Sequence, residues 1–498
     1  MMRCICYNNA VETVDVESVP PSSSDAAQRR ERWLRRESSA MIKDFEKRMS
    51  GHSIDHFVHE EAIFSMLEPM SRSNELAPCA LLDGEWLLKR AEELKQCSSR
   101  DERRKLALPR RQDLERDEPQ AYMEVSRLRK LKRGDERINS PLRIVCVSHI
   151  WYGVSHPDPY GDNLLVLANA LIEARAVERF PTGDFAVFLD WVSLHQRDAN
   201  GKRTPKEQAA FRQALSQMNI WYAHQKTLVY LLTQTPPEWP VATVPYQRRG
   251  WPSFERMISM ILKHQSRQAW ATICDVGAFA PDGPQRTVLE PPKDAEGFSE
   301  LLEQLHFTNG ADKEMVLALY RDTLNSALGQ TRSLRFAGLR WGDAEMATLA
   351  KVLPLCRNLE YLNLKGSHNG YTAESATVLA DVLSREPKVL PNLVMIGAGC
   401  RAKDDEAGQG PLLESEQLKR ACESRGVELL RDVPFELVQR RYMPSWEAHS
   451  RDSTRQRRRS SVYISLKDFR TSKLGGSQTA LRRSASTDRT DESISQTS

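Results

Sequence analysis

The chain has 498 residues, 40% of them hydrophobic and 28% charged, a size that allows about two to four domains and at least one sizeable core. Its net charge is +4, yet residues 450–498 hold eleven Lys or Arg against five Asp or Glu, a surplus of +6 that leaves −2 for the remainder. This balance argues against a nucleic-acid-binding core, which would carry its own basic face.

The first two predicted segments are polar. Residues 1–25 include a Pro-Pro-Ser-Ser-Ser stretch, and we expect them to be disordered. Residues 26–140 are dense in Arg, Lys and Glu, with apolar residues such as Met41, Phe45 and Met49 at helical spacing. This part of the chain is therefore predicted to be a charged helical region or linker.

Strand and helix patterns alternate between residues 141 and 278. Short apolar runs predict strands at about 143–148, 185–189, 227–232 and 270–276, and apolar stripes predict helices at about 161–180, 204–222 and 251–264. Thr204, Pro205 and Glu207 predict a capping box at a helix start. Such alternation predicts an α/β domain with a mostly parallel sheet and helices on both faces, with its strand order left open.

A Pro-rich helical connector is expected at 279–330, and a repeating pattern follows over 331–435. Leu334 and Leu362 each begin a strand-plus-helix unit, and a further unit begins at Leu393. The first two units are 28 residues apart, a spacing that resembles leucine-rich repeats of the ribonuclease-inhibitor type. A short repeat segment packed on the α/β domain is therefore predicted, with a surface for a protein partner.

The final segment, 436–498, is basic and rich in Ser and Thr, so we expect a disordered tail. Arg clusters precede four serines that are predicted substrates of a protein kinase, namely Ser460, Ser461, Ser484 and Ser486.

Cysteine usage and hydropathy bear on the cellular compartment. Nine scattered cysteines form no CxxC pair and no Cys/His cluster with zinc spacing, so no metal site is predicted. Without a secretory signal such a set predicts reduced thiols in a cytoplasmic protein. No run approaches the roughly 18 apolar residues of a membrane span. No motif indicates a flavin or nucleoside-triphosphate site, and no strong nucleic-acid or membrane signal is present.

Polar and aromatic side chains recur where the predicted strands of the α/β domain end. In an open α/β sheet the ligand crevice lies beyond the carboxyl ends of the strands, so we expect these side chains to share one pocket. The candidate binding residues are Ser148, His149, Trp151, Asp190, Trp191, Arg248, Arg249 and Trp251, and the candidate catalytic residue is Glu255.

Glu255 is predicted to lie in the first turn of a helix opened by Trp251 and Pro252, where the helix dipole favours an ionised carboxylate. Such a carboxylate stabilises the oxocarbenium-like state formed when a nicotinamide–ribose bond breaks. A pyridinium is already a good leaving group, so no general acid is required. The two arginines can meet a pyrophosphate, and the Trp rings can stack on a base. Helix capping and core packing explain the same residues without a ligand.

The same segments resemble the heterokaryon-incompatibility (HET) domain, whose relatives include the TIR fold. The resemblance covers about 120 of the 498 residues. His149, Ser193, His195 and Pro252 depart from the HET pattern. The residues that match are Ser148, Trp151, Leu189, Asp190, Leu194, Gln196, Met218, Tyr222, Arg249, Trp251 and Glu255.

This resemblance implies a TIR-like domain in an intracellular signalling or response protein, acting by homotypic association into a homo-oligomer. One alternative is an NAD glycohydrolase, because the glutamate at the position of Glu255 is catalytic in TIR enzymes that cleave NAD. NAD would then be a substrate, and no cofactor is predicted. A second alternative is a nucleotide-binding module at the strand ends. An open pocket shared by Glu255, Asp190 and the Trp rings would favour the enzyme over the assembly module.

Overall fold

The computed structural model describes part of the chain between Asp55 and Arg431, and all described residues fall within one compact unit. The predicted disordered ends, 1–25 and 436–498, lie outside the described residues together with the four tail serines. The described ranges are 55–69, 76–134, 142–153, 155–176, 184–236, 238–240, 243–263, 272–280, 283–286, 289–366, 369–386, 388–399 and 410–431.

The described residues form ten strands, seventeen α-helices and three short 3-10 helices. The strands are β1 (Leu82–Asp83), β2 (Ile144–Ser148), β3 (Ala186–Phe188), β4 (Leu228–Leu231), β5 (Ile273–Ala280), β6 (Gly283–Arg286), β7 (Ser333–Arg335), β8 (Tyr361–Asn363), β9 (Met395–Gly397) and β10 (Glu428–Leu430). The first nine helices are α1 (Asp55–Val58), α2 (Glu61–Phe64), α3 (Gly84–Lys95), α4 (Arg100–Leu106), α5 (Arg111–Asp117), α6 (Val125–Gly134), α7 (Asp162–Ala176), α8 (Asp190–Ser193) and α9 (Pro205–Ser216). The others are α10 (Asn219–Ala223), α11 (Gly250–Leu262), α12 (Ala295–Glu303), α13 (Asp312–Gln330), α14 (Asp343–Val352), α15 (Ala373–Ser384), α16 (Gly410–Glu414) and α17 (Glu416–Arg425). The 3-10 helices span Pro119–Ala121, Tyr246–Arg248 and Leu353–Leu355.

The first sheet has six strands in the order β1-β3-β2-β4-β5-β6. Its four central strands, β3, β2, β4 and β5, are parallel, whereas β1 and β6 pair antiparallel at the two edges. The predicted α/β class and mostly parallel sheet are therefore confirmed. The chain crosses from β2 to one side to form β3 and then to the other side to form β4, so the connections reverse direction between β2 and β4.

Both faces of this sheet are buried. Alternate residues of β2 lie in two different hydrophobic cores. Cys146 lies in the same core as Trp221 of α10, and Val145 lies in the same core as Leu87 of α3. Because successive side chains of a strand point to opposite faces, helices must cover the sheet on both sides. This double burial explains why the strands read as continuous apolar runs in the sequence.

The charged region before residue 140 contributes to the same fold. Leu82 of β1 pairs with Val187 of β3, so this segment supplies an edge strand. Asp83 then caps α3, its Oδ1 accepting from the backbone N–H of Glu85 at 2.9 Å and of Trp86 at 3.1 Å. The helices predicted for this region are present as α3 to α6, and the strand β1 was not predicted. Its two residues are too few to produce a periodic pattern.

The helix predicted at 204–222 begins as expected but is interrupted. Thr204 and Glu207 form the predicted capping box, with backbone-to-side-chain distances of 2.7 and 3.3 Å. A single helix was the wrong expectation, because Gln217 leaves the helical conformation with φ −126° and the chain resumes as α10. This break lets Asn219 donate from its side-chain amide to Thr323 Oγ1 of α13, at 2.8 Å.

The second sheet is a ladder of four parallel strands in the order β10-β9-β8-β7. Leu334 pairs in register with Leu362, so the 28-residue repeat is expressed as strand pairing. The third strand begins at Met395, two residues later than Leu393, and β10 was not predicted. Helices lie between successive strands, as the strand-plus-helix pattern indicated. Assignment to the leucine-rich repeats stays a prediction.

The connector forms more regular structure than its prolines suggested. It contains β6, which pairs with β5, and the helices α12 and α13, the latter 19 residues long. None of the helices in the described ranges is long and apolar enough to span a membrane.

The burial of α3 predicts that the charged region is required for stability. Leu87 is fully buried, whereas Leu88 on the same helix is only half-buried. We expect Leu87→Ala to lower the free energy of unfolding by about 2–5 kcal/mol, because it leaves a cavity in the core. Leu88→Ala is the matched control, with a smaller loss. Equal losses in chemical denaturation would contradict the packing of α3 on the sheet.

Candidate functional site

A cavity of about 1190 Å³ lies at the carboxyl ends of the parallel strands. Its walls come from the loop after β2, from α8 directly after β3, from the start of α11, and from the connector before α13. Seven of the nine predicted site residues line it, namely His149, Trp151, Asp190, Trp191, Arg249, Trp251 and Glu255. Ser148 lies buried behind Glu255. Arg248 is exposed on a 3-10 helix and does not line the cavity.

Glu255 occupies a different position in its helix from the predicted one. Helix α11 begins at Gly250, so Glu255 lies in the second turn, beyond the backbone N–H groups that the first turn leaves free. The residue is buried, with 7% of its surface exposed. Burial raises the pKa of its carboxyl group to about 8, and the negative charge of Asp190 adds to this effect. Burial therefore opposes the ionised form, which the predicted first-turn position would favour.

Two hydroxyl groups connect Glu255 to the protein interior. Ser148 Oγ, at the end of β2, lies 2.5 Å from Glu255 Oε2. The Tyr246 hydroxyl lies 2.7 Å from Ser148 Oγ and donates to the Pro252 carbonyl oxygen at 3.0 Å. These contacts fix the carboxyl group at the floor of the cavity. Tyr246 was not singled out in the sequence, although it precedes Gly250 by four residues.

His149 and Asp190 form a hydrogen-bonded pair in the cavity wall, which is an ion pair when His149 is protonated. His149 Nε2 lies 3.1 Å from Asp190 Oδ1, and the Trp151 indole N–H donates to Oδ2 at 2.9 Å. Burial opposes a charged imidazole, but the hydrogen bond and charge of Asp190 outweigh it and raise the pKa of His149 above its usual value. The backbone N–H of Trp191 also donates to Oδ1, at 2.7 Å.

The three tryptophans of the cavity already use their indole N–H groups. Trp151 donates to Asp190, Trp191 donates to the Leu108 carbonyl oxygen at 2.9 Å, and Trp251 donates to Asp312 Oδ2 at 3.0 Å. Trp151 and Trp191 pack edge to face, with ring centroids 5.7 Å apart. Trp191 is buried, whereas the partly exposed rings of Trp151 and Trp251 offer apolar surface on which a planar base can stack.

Arg249 is the predicted anion-binding residue that the structure places in the cavity. It is half-buried, its Nε donates to the Val244 carbonyl oxygen at 3.2 Å, and burial lowers its pKa. Within the described residues it makes no ion pair with an acidic side chain. Such a guanidinium is suited to a phosphate or carboxylate group. The side chain of the neighbouring Arg248 is exposed and does not line the cavity.

Sequence reasoning missed the contribution of the connector. The backbone N–H of Gly250 donates to the His306 carbonyl oxygen at 3.0 Å. The backbone N–H of His306 donates to the Arg248 carbonyl oxygen at 2.7 Å. The Asp312 carboxylate accepts hydrogen bonds from the Trp251 indole N–H and, at 2.8 Å, from the side-chain amide of Asn309. These contacts close one wall of the cavity. They join segments more than fifty residues apart, so no local sequence pattern predicts them.

The described residues contain no cluster of three or more His, Cys, Asp or Glu side chains that could hold a metal ion. Comparison with protein-family models, curated proteins and solved structures finds no match for the chain. The geometry of the cavity is therefore the basis for assigning its chemistry.

The ion pair predicts how His149 responds to loss of its partner. We expect Asp190→Asn to lower the pKa of His149, because burial disfavours the charged imidazole and the substitution removes the charge and the anionic acceptor that oppose burial most strongly. The raised pKa also means that the pair stabilises the fold at pH values below the usual histidine pKa. That contribution is lost as pH rises through the folded-state pKa. Histidine NMR titration measures the first effect.

Asp198→Asn is the matched control for this titration. Asp198 also lines the cavity but accepts hydrogen bonds from backbone N–H groups of its own loop. An unchanged His149 titration in Asp190→Asn would show that the two side chains do not interact.

Proposed function

We propose that this cavity is the active site of a TIR-like glycohydrolase that cleaves the nicotinamide–ribose bond of NAD, with Glu255 as its catalytic carboxyl group. The observation that carries the proposal is the shared open cavity of Glu255, Asp190, Arg249 and the Trp rings. A module that acted only by assembly would have no need of such a space, and side chains could fill it.

The strand order supports a TIR-like assignment. Counted along the chain, the parallel strands follow the order second, first, third, fourth, which is the order of a doubly wound flavodoxin-like sheet. Ligands of such sheets bind where the connections reverse, and here the reversal lies between β2 and β4. His149 directly follows β2, so the cavity occupies the expected place.

The charge of the substrate supplies what Glu255 needs. A nicotinamide ring bound to ribose is cationic, and a positive charge close to a carboxyl group favours its ionised form. Entry of the ring would therefore release the proton of Glu255. The resulting carboxylate stabilises the developing oxocarbenium charge while nicotinamide departs as a neutral molecule. Water then attacks the anomeric carbon.

Other cavity residues fit the remaining parts of NAD. The rings of Trp151 and Trp251 offer stacking surfaces for a base, and Arg249 offers a cation for the pyrophosphate. Homotypic association, a signalling role and a protein partner on the repeat segment are proposals that rest on the sequence alone. Association would be seen as turnover that rises more than proportionally with protein concentration.

The first test measures NAD loss and nicotinamide release by the full chain. A fragment of 140–280 would lack β1 and the connector, which complete the sheet and the cavity. We expect Glu255→Gln to lower kcat/KM by about 10²–10³-fold, because it removes the negative charge opposite the developing cation.

Glu300→Gln is the control, since Glu300 is exposed on α12 outside the cavity. Absence of turnover by the folded parent, both dilute and concentrated, would overturn the proposed activity and leave the assembly role as the better explanation.

The pH dependence gives a separate prediction. Only the ionised form of Glu255 stabilises the cation, and kcat/KM reports the protonation state of the free enzyme. We therefore expect kcat/KM for NAD to rise with pH and to reach half of its plateau near the Glu255 pKa of about 8. A flat profile between pH 6 and 9 would show that this carboxyl group does not control the reaction.

A further inference from the structure

The contacts of Glu255 form a chain through two hydroxyl groups to the backbone of α11. Three contacts connect Glu255 Oε2, Ser148 Oγ, the Tyr246 hydroxyl and the Pro252 carbonyl oxygen, at 2.5, 2.7 and 3.0 Å. The carbonyl has no hydrogen, so Tyr246 donates to it. Ser148 has one hydrogen, and whether it donates to Tyr246 or to Glu255 Oε2, the three contacts need one hydrogen more than the two hydroxyls carry. A protonated Glu255 supplies that hydrogen by donating to Ser148, which then donates to Tyr246.

An ionised Glu255 would leave one of these contacts without a hydrogen. Ser148 would then donate to the carboxylate and Tyr246 would donate to Ser148, which removes the bond to Pro252. The geometry at β2 and α11 therefore matches a neutral carboxylic acid in the free protein. Burial of the carboxyl group favours the same state, because an uncompensated charge in the interior is costly.

We propose that Glu255 also acts as a proton donor, and that the cavity accepts N-glycosides of uncharged bases, with purine nucleosides and nucleotides as the substrate class. This inference rests on the glycohydrolase site proposed above and extends its range of substrates.

The chemistry of the leaving group is the reason for naming this class. A pyridinium departs as a neutral molecule and needs no proton. An uncharged purine would depart as an anion, so its departure requires a proton from a positioned acid. A carboxylic acid at the cavity floor is unnecessary for the first substrate and required for the second. The protonated acid of the free protein therefore meets the requirement of purine N-glycosides.

The proposed step balances as a hydrolysis. The C1′–N9 bond breaks, its electron pair moves to the purine, and the Glu255 proton is transferred to that base. The carboxylate left behind stabilises the cationic ribosyl group. Water then forms the new C–O bond at C1′, and the proton that it loses returns to Glu255. The products are the free base and ribose or ribose phosphate, and the acid is regenerated.

The surroundings of Glu255 are compatible with this role. The titratable groups that face it are Asp190 and His149 from the strand ends, the Cys146 thiol of β2, and the hydroxyls of Tyr246 and of Tyr222, which hydrogen-bonds to Glu255. Asp190 raises the pKa of Glu255 and His149 lowers it, so the two groups act on the acid in opposite directions. Trp251 precedes Glu255 by four residues on α11, so both side chains lie on one helix face. Its ring can hold the base that receives the proton.

The experiment measures purine release from adenosine and AMP by the full chain, beside NAD hydrolysis by the same preparation. The donor role predicts that purine release falls as pH rises through about 8, whereas NAD hydrolysis rises through the same range. Glu255→Gln should lower purine release by about 10²–10⁴-fold. Glu300→Gln should change neither reaction.

Tyr246→Phe tests the hydrogen count without removing the acid. The variant removes the acceptor for the Ser148 hydroxyl, which then donates to Glu255 and favours its ionised form. Both pH profiles should shift to lower pH. A variant that was only destabilised would lose activity on both substrates, and the midpoints of both pH profiles would stay unchanged. That result would overturn the proposed hydrogen bonding between Glu255, Ser148 and Tyr246.

The outcomes separate the two proposals. Hydrolysis of NAD without purine release would overturn the proton-donor role and leave the NAD activity standing. Purine release with a falling pH profile and no NAD hydrolysis would support the inference and overturn NAD as a substrate. Turnover of neither substrate by folded protein would overturn both.

Discussion

Burial of one carboxyl group at the end of the first parallel strand determines the chemistry of the cavity. A buried acid must be neutral or well paired, since an isolated charge in the interior is costly. Glu255 has no cation within its hydrogen-bonding network and contacts the hydroxyl of Ser148 instead. Tyr246 extends that network to the backbone of α11. The protonation state of the site therefore follows from how the helix packs over the strand ends.

The cavity exists because segments from the whole described unit meet at that place. The reversal of connections between β2 and β4 leaves a crevice at the strand ends, as in other doubly wound sheets. The connector then adds a wall by pairing His306 with the start of α11. The close approach needs Gly250, because a Cβ at that position would collide with the Phe307 ring. The site is thus larger than the segment that carries the HET resemblance.

Residues of the central strands were predictable because double burial gives them continuous apolar runs, and Thr204 was predictable because capping is a local interaction. Other features depend on tertiary contacts. The distance of Glu255 from Pro252 predicts a residue of the first helical turn. Only the observed helix start and the burial of Glu255 show that its surroundings favour the neutral acid. Arg248 and Arg249 are equivalent in the sequence, but the turn before α11 directs one to solvent and the other to the cavity.

The two acidic side chains at the strand ends differ through their neighbours, which is how proteins divide acid and charge-stabilising roles between similar groups. Asp190 accepts hydrogen bonds from the Trp151 indole and a backbone N–H and pairs with His149. His149 is a residue at which the chain departs from the HET pattern. A tyrosine there would offer a hydroxyl in place of a cation, and Asp190 would lose its counter-charge. The adjacent negative charge would then act on Glu255 with less compensation and hold its proton more firmly, so His149 moderates the effect of Asp190 on that acid.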